Sequence, residues 1–199
     1  MLCEEPFYAR IERLAEAKPA GMILREKDLS EQEYRRMAEK VLCICKKYGV
    51  ACILHSFVHV AMELGCKAIH LPLPLLLRLD EADRARFPVL GASCHSPEEA
   101  VLAQEKGCTY ITAGHVFETG CKQGIPGRGM GFLREVCGCV SIPVYAIGGI
   151  TPERMGAVYE AGAAGGCVMS GAMKCKDAAE YLSRFERSDS RGQCTLKGI

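Results

Sequence analysis

The feature that most constrains the fold is a regular alternation of short apolar runs with longer amphipathic stretches. The runs are continuously apolar, which is typical of strands that are buried on both faces. The intervening stretches carry helix-start signals, such as the capping-box pair Ser30 and Glu33 and the sequence Ser96-Pro97. Buried strands joined by helices predict a parallel α/β structure. The seven expected strands cover 20–25, 50–54, 67–71, 88–93, 109–113, 143–147 and 166–169.

The regularity of this alternation favours a (β/α)₈ TIM barrel. A doubly wound sheet is the alternative, but no Gly-x-Gly-x-x-Gly motif follows the first expected strand. An amphipathic stretch over 4–18 precedes the first expected strand, so we expect the barrel to lack its first strand. We expect a single domain over 1–187 and a polar tail over 188–199. We also expect a homo-oligomer. Either a second copy of the chain or the N-terminal helix is expected to cover the gap left by the missing strand.

Composition limits the classes of partner. The 199 residues carry a net charge of +1, which argues against nucleic acid or an acidic membrane surface. No apolar run approaches the roughly 20 residues that span a bilayer, and the N-terminus lacks a signal-peptide core. The 13 cysteines include no CxxC pair, so they are interpreted as small buried apolar residues rather than metal ligands. We expect a cytoplasmic protein with no metal and no cofactor.

A glycine-rich loop over 114–129 follows the expected strand 109–113. Glycines allow a backbone to approach a ligand closely, and the loop also carries Lys122 and Arg128, which suits an anion. His115 stands where the strand ends. Because an imidazole can give and take a proton near neutral pH, His115 is the predicted catalytic residue.

Residues at the carboxyl ends of barrel strands form the ligand site in this fold. Arg25 and Lys27 are two residues apart at a strand end, so we expect their side chains to face the same way and bind a phosphate or carboxylate. Gly148-Gly149 and Ser170-Gly171 follow the last two strands, where backbone N–H groups commonly bind phosphate. His55, His59, His70 and His95 are weaker candidates. The predicted substrate-binding residues are Arg25, Lys27, Ser93, Thr119, Lys122, Gly148, Gly149, Ser170 and Gly171.

Four motifs together resemble the thiamine phosphate synthase superfamily. They are Leu24-Arg25-Glu26-Lys27, the run Gly114–Lys122, Ala146-Ile147-Gly148-Gly149-Ile150 and Val168-Met169-Ser170-Gly171. The resemblance extends from about Arg25 to Gly171. It implies a (β/α)₈ barrel with an N-terminal first strand and a substrate that carries a phosphate group.

The synthase branch of this superfamily joins a pyrimidine diphosphate to a thiazole phosphate and uses Mg²⁺. The resemblance implies two metal-binding carboxylates, one after each of two neighbouring strands. The first matching position reads His55-Ser56 instead of Asn-Asp, and Leu75, in a segment expected to be a proline-flanked loop over 73–77, replaces the second Asp. Magnesium requires oxygen ligands, which leucine lacks.

The segment Gly114-His115-Val116-Phe117-Glu118-Thr119 is similar to the thiazole tautomerase branch. That similarity implies metal-independent isomerisation of a carboxythiazole phosphate to its aromatic tautomer, and it makes a thiazole tautomerase of thiamine biosynthesis the first expectation. Two alternatives are a thiamine phosphate synthase and a non-catalytic regulatory barrel that binds a phosphate ligand.

Overall fold

Seven parallel strands, in the order of the chain, form the β-structure of residues 5–120 and 124–185, the part that the computed structural model describes. The expectation of a parallel α/β protein with seven strands is therefore confirmed. The strands are β1 (Met22–Leu24), β2 (Cys52–His55), β3 (Ala68–Pro72), β4 (Val89–Cys94), β5 (Tyr110–Gly114), β6 (Val144–Ile147) and β7 (Gly165–Cys167). The absence of a first barrel strand stays a prediction, because residues 1–4 lie outside the described part.

Helices connect the strands and flank them in sequence. They are α1 (Phe7–Glu16), α2 (Glu31–Tyr48), α3 (Val58–Glu63), α4 (Leu73–Arg78), α5 (Glu81–Arg84), α6 (Pro97–Glu105), α7 (Gly129–Cys139), α8 (Met155–Glu160), α9 (Ser170–Lys174) and α10 (Ala178–Ser183), with a 3-10 helix at Pro152–Arg154. The expected loop over 73–77 is wrong, because this segment is α4. Pro74 lies in its first turn, where proline favours a helix, and Leu73 and Leu76 are buried.

The residues divide by their contacts into two compact units. The first unit comprises the described residues up to His70 and from Met169 onward, and the second comprises Leu71–Val168. The expected single domain over 1–187 stays a prediction, and the expected tail over 188–199 lies outside the described residues. No helix in the described residues has the length and apolar content to cross a membrane.

In the first unit, β1 pairs with β2 and β2 pairs with β3. The pairing sets Leu24 opposite Leu54 and His55 opposite His70. Helix α2 begins at the complete capping box of Ser30 and Glu33, as the sequence predicts, and ends at Gly49 in the left-handed conformation. The strand ends that carry the candidate side chains are therefore held against a long, well-capped helix.

In the second unit, β4 to β7 pair in succession. Two tyrosines on these strands lie over glycines of a neighbouring strand. A Cβ atom on Gly91 would stand 2.2 Å from the Tyr110 ring, and one on Gly165 would stand 3.2 Å from the Tyr145 ring. The two tyrosine rings meet edge to face at 5.9 Å. Large and small residues thus alternate across this sheet, as close packing requires.

Candidate functional site

The two predicted cations of the first unit follow a strand rather than end it. β1 stops at Leu24, so Arg25 lies in the connection and Lys27 in a turn, and both are exposed. The strand position from which a common orientation of their side chains was inferred is therefore wrong, and the orientation itself stays a prediction. Neither side chain forms an ion pair or a hydrogen bond within the described residues. Their positive charges are consequently available to an anionic ligand.

Next to Arg25 lie two buried histidines on neighbouring strands. The rings of His55 and His70 stack with centroids 5.6 Å apart, and their exposed fractions are 6% and 2%. Burial is the largest cause that lowers the pKa of His55 to about 4 and that of His70 to about 3. The charge of Arg25 contributes to both values, and His55 contributes to that of His70. Both imidazoles are therefore neutral at pH 7.

Tyr34 on α2 ties the ends of β1 and β2 together. Its hydroxyl donates a hydrogen bond to the carbonyl of Leu24 (2.8 Å) and accepts one from the backbone N–H of His55 (2.9 Å). The ring is fully buried and stacks on Phe57 at 4.0 Å. Tyr34 thereby fixes the backbone at the base of both Arg25 and His55. This role was not predicted from the sequence, since a tyrosine on the apolar face of a helix is ordinarily interpreted as a core residue.

Ser170 and Gly171 also belong to the first unit. Ser170 is the first residue of α9, and β7 ends earlier than the sequence predicts, at Cys167. A Cβ atom on Gly171 would stand 2.1 Å from the hydroxyl of Tyr181. The structure thus gives Gly171 a packing role, and phosphate binding by this pair stays a prediction.

In the second unit, His115 follows β5 and is 6% exposed. Its Nε2 lies 3.2 Å from the carbonyl oxygen of Ile125. Because a carbonyl only accepts, we assign the hydrogen to Nε2, which leaves Nδ1 with a free lone pair. Nδ1 is the one buried side-chain nitrogen or oxygen without a hydrogen-bond partner in the described part of the chain. An unpaired buried acceptor is costly, so this atom is suited to a donor on a ligand.

The loop that carries His115 packs directly on Gly148 and Gly149. The N–H of Phe117 donates to the carbonyl of Gly148 (3.0 Å). A Cβ atom on Gly148 would stand 2.3 Å from Cβ of His115, and one on Gly149 would stand 2.5 Å from the carbonyl oxygen of Glu118. Both glycines also adopt positive φ, 97° and 64°. Loop packing alone therefore requires glycine here, and the expected contact with a phosphate stays a prediction.

Ser93 lies opposite Thr112 on β5, and the Thr112 hydroxyl donates to the Ser93 hydroxyl at 3.4 Å. Tyr145 on β6 is opposite Thr112 in turn, so three polar side chains align across β4, β5 and β6. Thr112 and Tyr145 were not predicted, although the period-two spacing from Gly114 and Ile147 could have indicated them. His95 is exposed, and its Nδ1 is 2.7 Å from the carbonyl oxygen of Gly114. Thr119 is half-buried, and Lys122 lies outside the described residues.

The residues at the expected magnesium positions do not fit that ion. Ser56 uses its hydroxyl in a 2.6 Å hydrogen bond with Nδ1 of His55, and Leu75 offers no oxygen. The described residues contain no group of three or more His, Cys, Asp or Glu side chains that could hold a metal. The nearby guanidinium of Arg25 further disfavours a divalent cation.

Parallel strands joined by helices, with cations and imidazoles at the strand ends, define a TIM-like α/β protein that is suited to anionic small molecules. The sequence profile of the thiamine monophosphate synthase family matches residues 1–172. The chain belongs to this family. The resemblance noted in the sequence is thereby confirmed at the level of the superfamily.

Several relatives carry the same description. The chain is 34% identical over 166 residues to a thiamine-phosphate synthase of Caldivirga maquilingensis, a match that covers 82% of this chain and 80% of the relative. It is 29% identical over 196 residues to a thiamine-phosphate synthase of Clostridium acetobutylicum, covering 96% and 92%. A thiamine-phosphate synthase of Fusobacterium nucleatum is 32% identical over 182 residues, covering 88% and 87%.

Solved structures agree on the fold. The thiamine phosphate pyrophosphorylase of Pyrococcus furiosus superposes with a TM-score of 0.77 at 24% identity, covering 91% of this chain and 88% of that one. FabK of Thermotoga maritima superposes with a TM-score of 0.60 at 17% identity, covering 77% and 51%. These likenesses support the TIM-like α/β architecture.

The expected isomerase activity is wrong. The relatives that cover most of this chain are named thiamine-phosphate synthases, so the comparisons favour a transferase over a thiazole tautomerase. The expectation depended on the segment Gly114–Thr119 with the elements Cys121-Lys122 and Gly127-Arg128-Gly129, and on the absence of carboxylates at Ser56 and Leu75. In the structure, His115, Phe117 and Glu118 of the first of these segments pack against Gly148 and Gly149.

Proposed function

We propose that this chain is a thiamine-phosphate synthase, a transferase that joins a pyrimidine diphosphate to a thiazole phosphate and releases diphosphate. The observation that carries the proposal is the 34% identity to a thiamine-phosphate synthase across 80% of that relative. Both substrates and the released group are strongly anionic. The exposed, unpaired cations Arg25 and Lys27 suit such ligands.

The proposed roles of the site residues follow from their chemistry. Arg25 and Lys27 bind phosphate groups through charge-assisted hydrogen bonds. His115 offers Nδ1 as a buried acceptor to a substrate donor, and Ser93 and Thr119 offer hydroxyls. Lys122, Gly148, Gly149, Ser170 and Gly171 complete the proposed substrate contacts. A homo-oligomer is likewise proposed, and light scattering on the purified protein tests it by distinguishing the mass of one chain from that of two or more.

The test of the activity is direct. Purified protein is mixed with pyrimidine diphosphate and thiazole phosphate in the presence of Mg²⁺, and again with EDTA, and thiamine phosphate is quantified by chromatography. We expect product in molar excess over the protein in at least one condition. A product yield at the level of a boiled-protein control in both conditions would refute the transferase.

A second function has a specific observation in its favour. Ser56 and Leu75 stand where the resemblance implies metal-binding carboxylates, which suits a non-catalytic barrel that binds a phosphate ligand. Calorimetry distinguishes the two functions. Saturable binding of thiazole phosphate without any turnover supports the regulatory barrel, whereas turnover excludes it.

A further inference from the structure

Two sulfur-containing side chains lie next to each other at the amino ends of β1 and β2 in the first unit. Met22 is the first residue of β1, Cys52 is the first residue of β2, and the parallel register sets them opposite each other. Residues paired in this way on neighbouring strands point to the same face of a sheet. This pair is therefore at the other end of the strands from Arg25 and His55.

Helix α2 supplies a third sulfur atom. Cys45, near the end of α2, is 1% exposed, and its thiol donates a hydrogen bond to the thioether sulfur of Met22, 3.9 Å away. The thiol of Cys52 donates in turn to the sulfur of Cys45. This contact holds the pKa of Cys45 below its ordinary value and, together with burial, raises the pKa of Cys52. The sulfur of Cys45 thus contacts both of the others.

The chemistry of this three-sulfur cluster restricts the ligand that it could take. It offers two thiols and a thioether, and no carboxylate contributes to the pKa of either cysteine. Magnesium and calcium require oxygen ligands, and structural zinc takes four ligands from cysteine, histidine and carboxylate side chains. Thiolate and thioether ligands instead favour a soft cation such as Cu(I).

The spacing and exposure of the cluster are compatible with such an ion. Bonds from zinc to thiolate sulfur are about 2.3 Å long, and three sulfurs in a plane around an ion with similar bonds stand about 4.0 Å apart. The 3.9 Å between the sulfurs of Cys45 and Met22 is close to that spacing. Cys45 is buried, whereas Met22 and Cys52 are half-buried, so an ion can approach from their side.

We propose that Met22, Cys45 and Cys52 form a binding site for Cu(I), with Cys45 as the central ligand. Binding converts both thiols to thiolates and releases two protons, so the ion takes the place of the hydrogens that join the three sulfurs. The sequence-based expectation of no metal depended on the absence of a CxxC pair. The tertiary structure brings these ligands together from three separate elements.

Competition with a chelator tests the site. The reduced protein is titrated with Cu(I), without oxygen, in the presence of bicinchoninate, which changes colour when it binds Cu(I). We expect the protein to retain one ion per chain. Cys45→Ala should weaken this binding by about 100-fold, the scale of one lost thiolate ligand, and Met22→Leu by about tenfold. Leucine matches methionine in size, so Met22→Leu removes the thioether while keeping the packing.

Cys43→Ser is the control, because the chain has 13 cysteines and other thiols could also take up copper. Cys43 is exposed on the same helix, two residues before Cys45. Cys43→Ser should bind Cu(I) as tightly as the wild type. A loss in Cys43→Ser as large as that in Cys45→Ala, or wild-type affinity in Cys45→Ala, would refute the site.

X-ray absorption spectroscopy on the protein with one equivalent of Cu(I) counts the atoms bound to the ion. We expect three sulfur neighbours in the wild type and two in Met22→Leu. Nitrogen or oxygen neighbours in the wild type, or an unchanged number of sulfurs in Met22→Leu, would refute the three-sulfur site.

Discussion

The strand ends of the two units differ in what they present to a ligand. In the first unit, side chains dominate: Arg25 is exposed and unpaired beside the neutral rings of His55 and His70. In the second unit, the backbone dominates, because the loop carrying His115 packs directly on Gly148. Glycine-rich strand ends therefore do not by themselves indicate a ligand. Here they indicate a loop that must approach closely.

The largest effect is expected from a substitution that disrupts the packing of the second unit. Gly148→Val places a Cβ atom 2.3 Å from Cβ of His115 at a φ of 97°. We expect a loss of about 3 kcal/mol or more in the free energy of unfolding, measured with urea. Gly156→Ala is the control: Gly156 lies in α8 with open space around its Cβ, so alanine should stabilise by about 0.5–1 kcal/mol. Equal unfolding free energies for wild type and Gly148→Val would contradict the packing role.

The histidine pair of the first unit predicts a loss of stability in acid. In the folded state the pKa values are about 4 and about 3, below the ordinary value of 6.5, so the unfolded chain takes up protons first as the pH falls. Stability is therefore full above pH 6.5 and declines below it, by roughly 2 kcal/mol per histidine down to about pH 5. Urea unfolding at a series of pH values measures this decline.

Variants identify the source of the decline. His70→Asn cannot titrate in this range, so its unfolding free energy should depend less on pH than that of the wild type. His59→Asn, at an exposed position, should keep the slope of the wild type. An identical slope in His70→Asn would assign the acid sensitivity to groups other than the stacked pair.

A smaller effect is expected at Tyr34, which joins the two strand ends of the first unit. Tyr34→Phe keeps the stacking on Phe57 but leaves the N–H of His55 and the carbonyl of Leu24 without their buried partner. We expect a loss of about 2 kcal/mol in the free energy of unfolding. Tyr48→Phe, on the same helix, removes a hydroxyl bound to the half-exposed carboxylate of Glu12 and should cost less than about 0.5 kcal/mol.

The smallest expected effect concerns ligand binding in the second unit. His115→Asn keeps an amide oxygen that can accept a hydrogen bond near the position of Nδ1. His115→Gln places its amide group near the position of Nε2 instead. If Nδ1 accepts a hydrogen bond from the substrate, the affinity for thiazole phosphate should fall about tenfold further in His115→Gln than in His115→Asn. Calorimetry measures the affinity of both variants for thiazole phosphate. Equal affinities would show that Nδ1 does not contact the substrate.

Much of the fold was predictable because its signals are local. The apolar runs predicted seven strands, and Ser30 with Glu33 predicted the start of α2, since strand burial and helix capping depend on residues close in sequence. The prediction of a loop over 73–77 was wrong. The prolines in and before this segment suggested a loop, whereas burial of Leu73 and Leu76 stabilises α4. Arg25 was predicted to end the strand over 20–25, but β1 ends at Leu24, so Arg25 and Lys27 lie beyond it and the alternation from which their common orientation was inferred does not extend to them.

By itself, the sequence determined the order of the elements, the parallel α/β class and the superfamily, because each depends on patterns within single elements or on whole-chain similarity. The tertiary structure decided what particular residues do. The pairing of His55 with His70 depends on strand register, the need for Gly148 depends on a loop from another strand, and the role of Tyr34 depends on where α2 lies. Such contacts join residues far apart in the chain, and no local pattern encodes them.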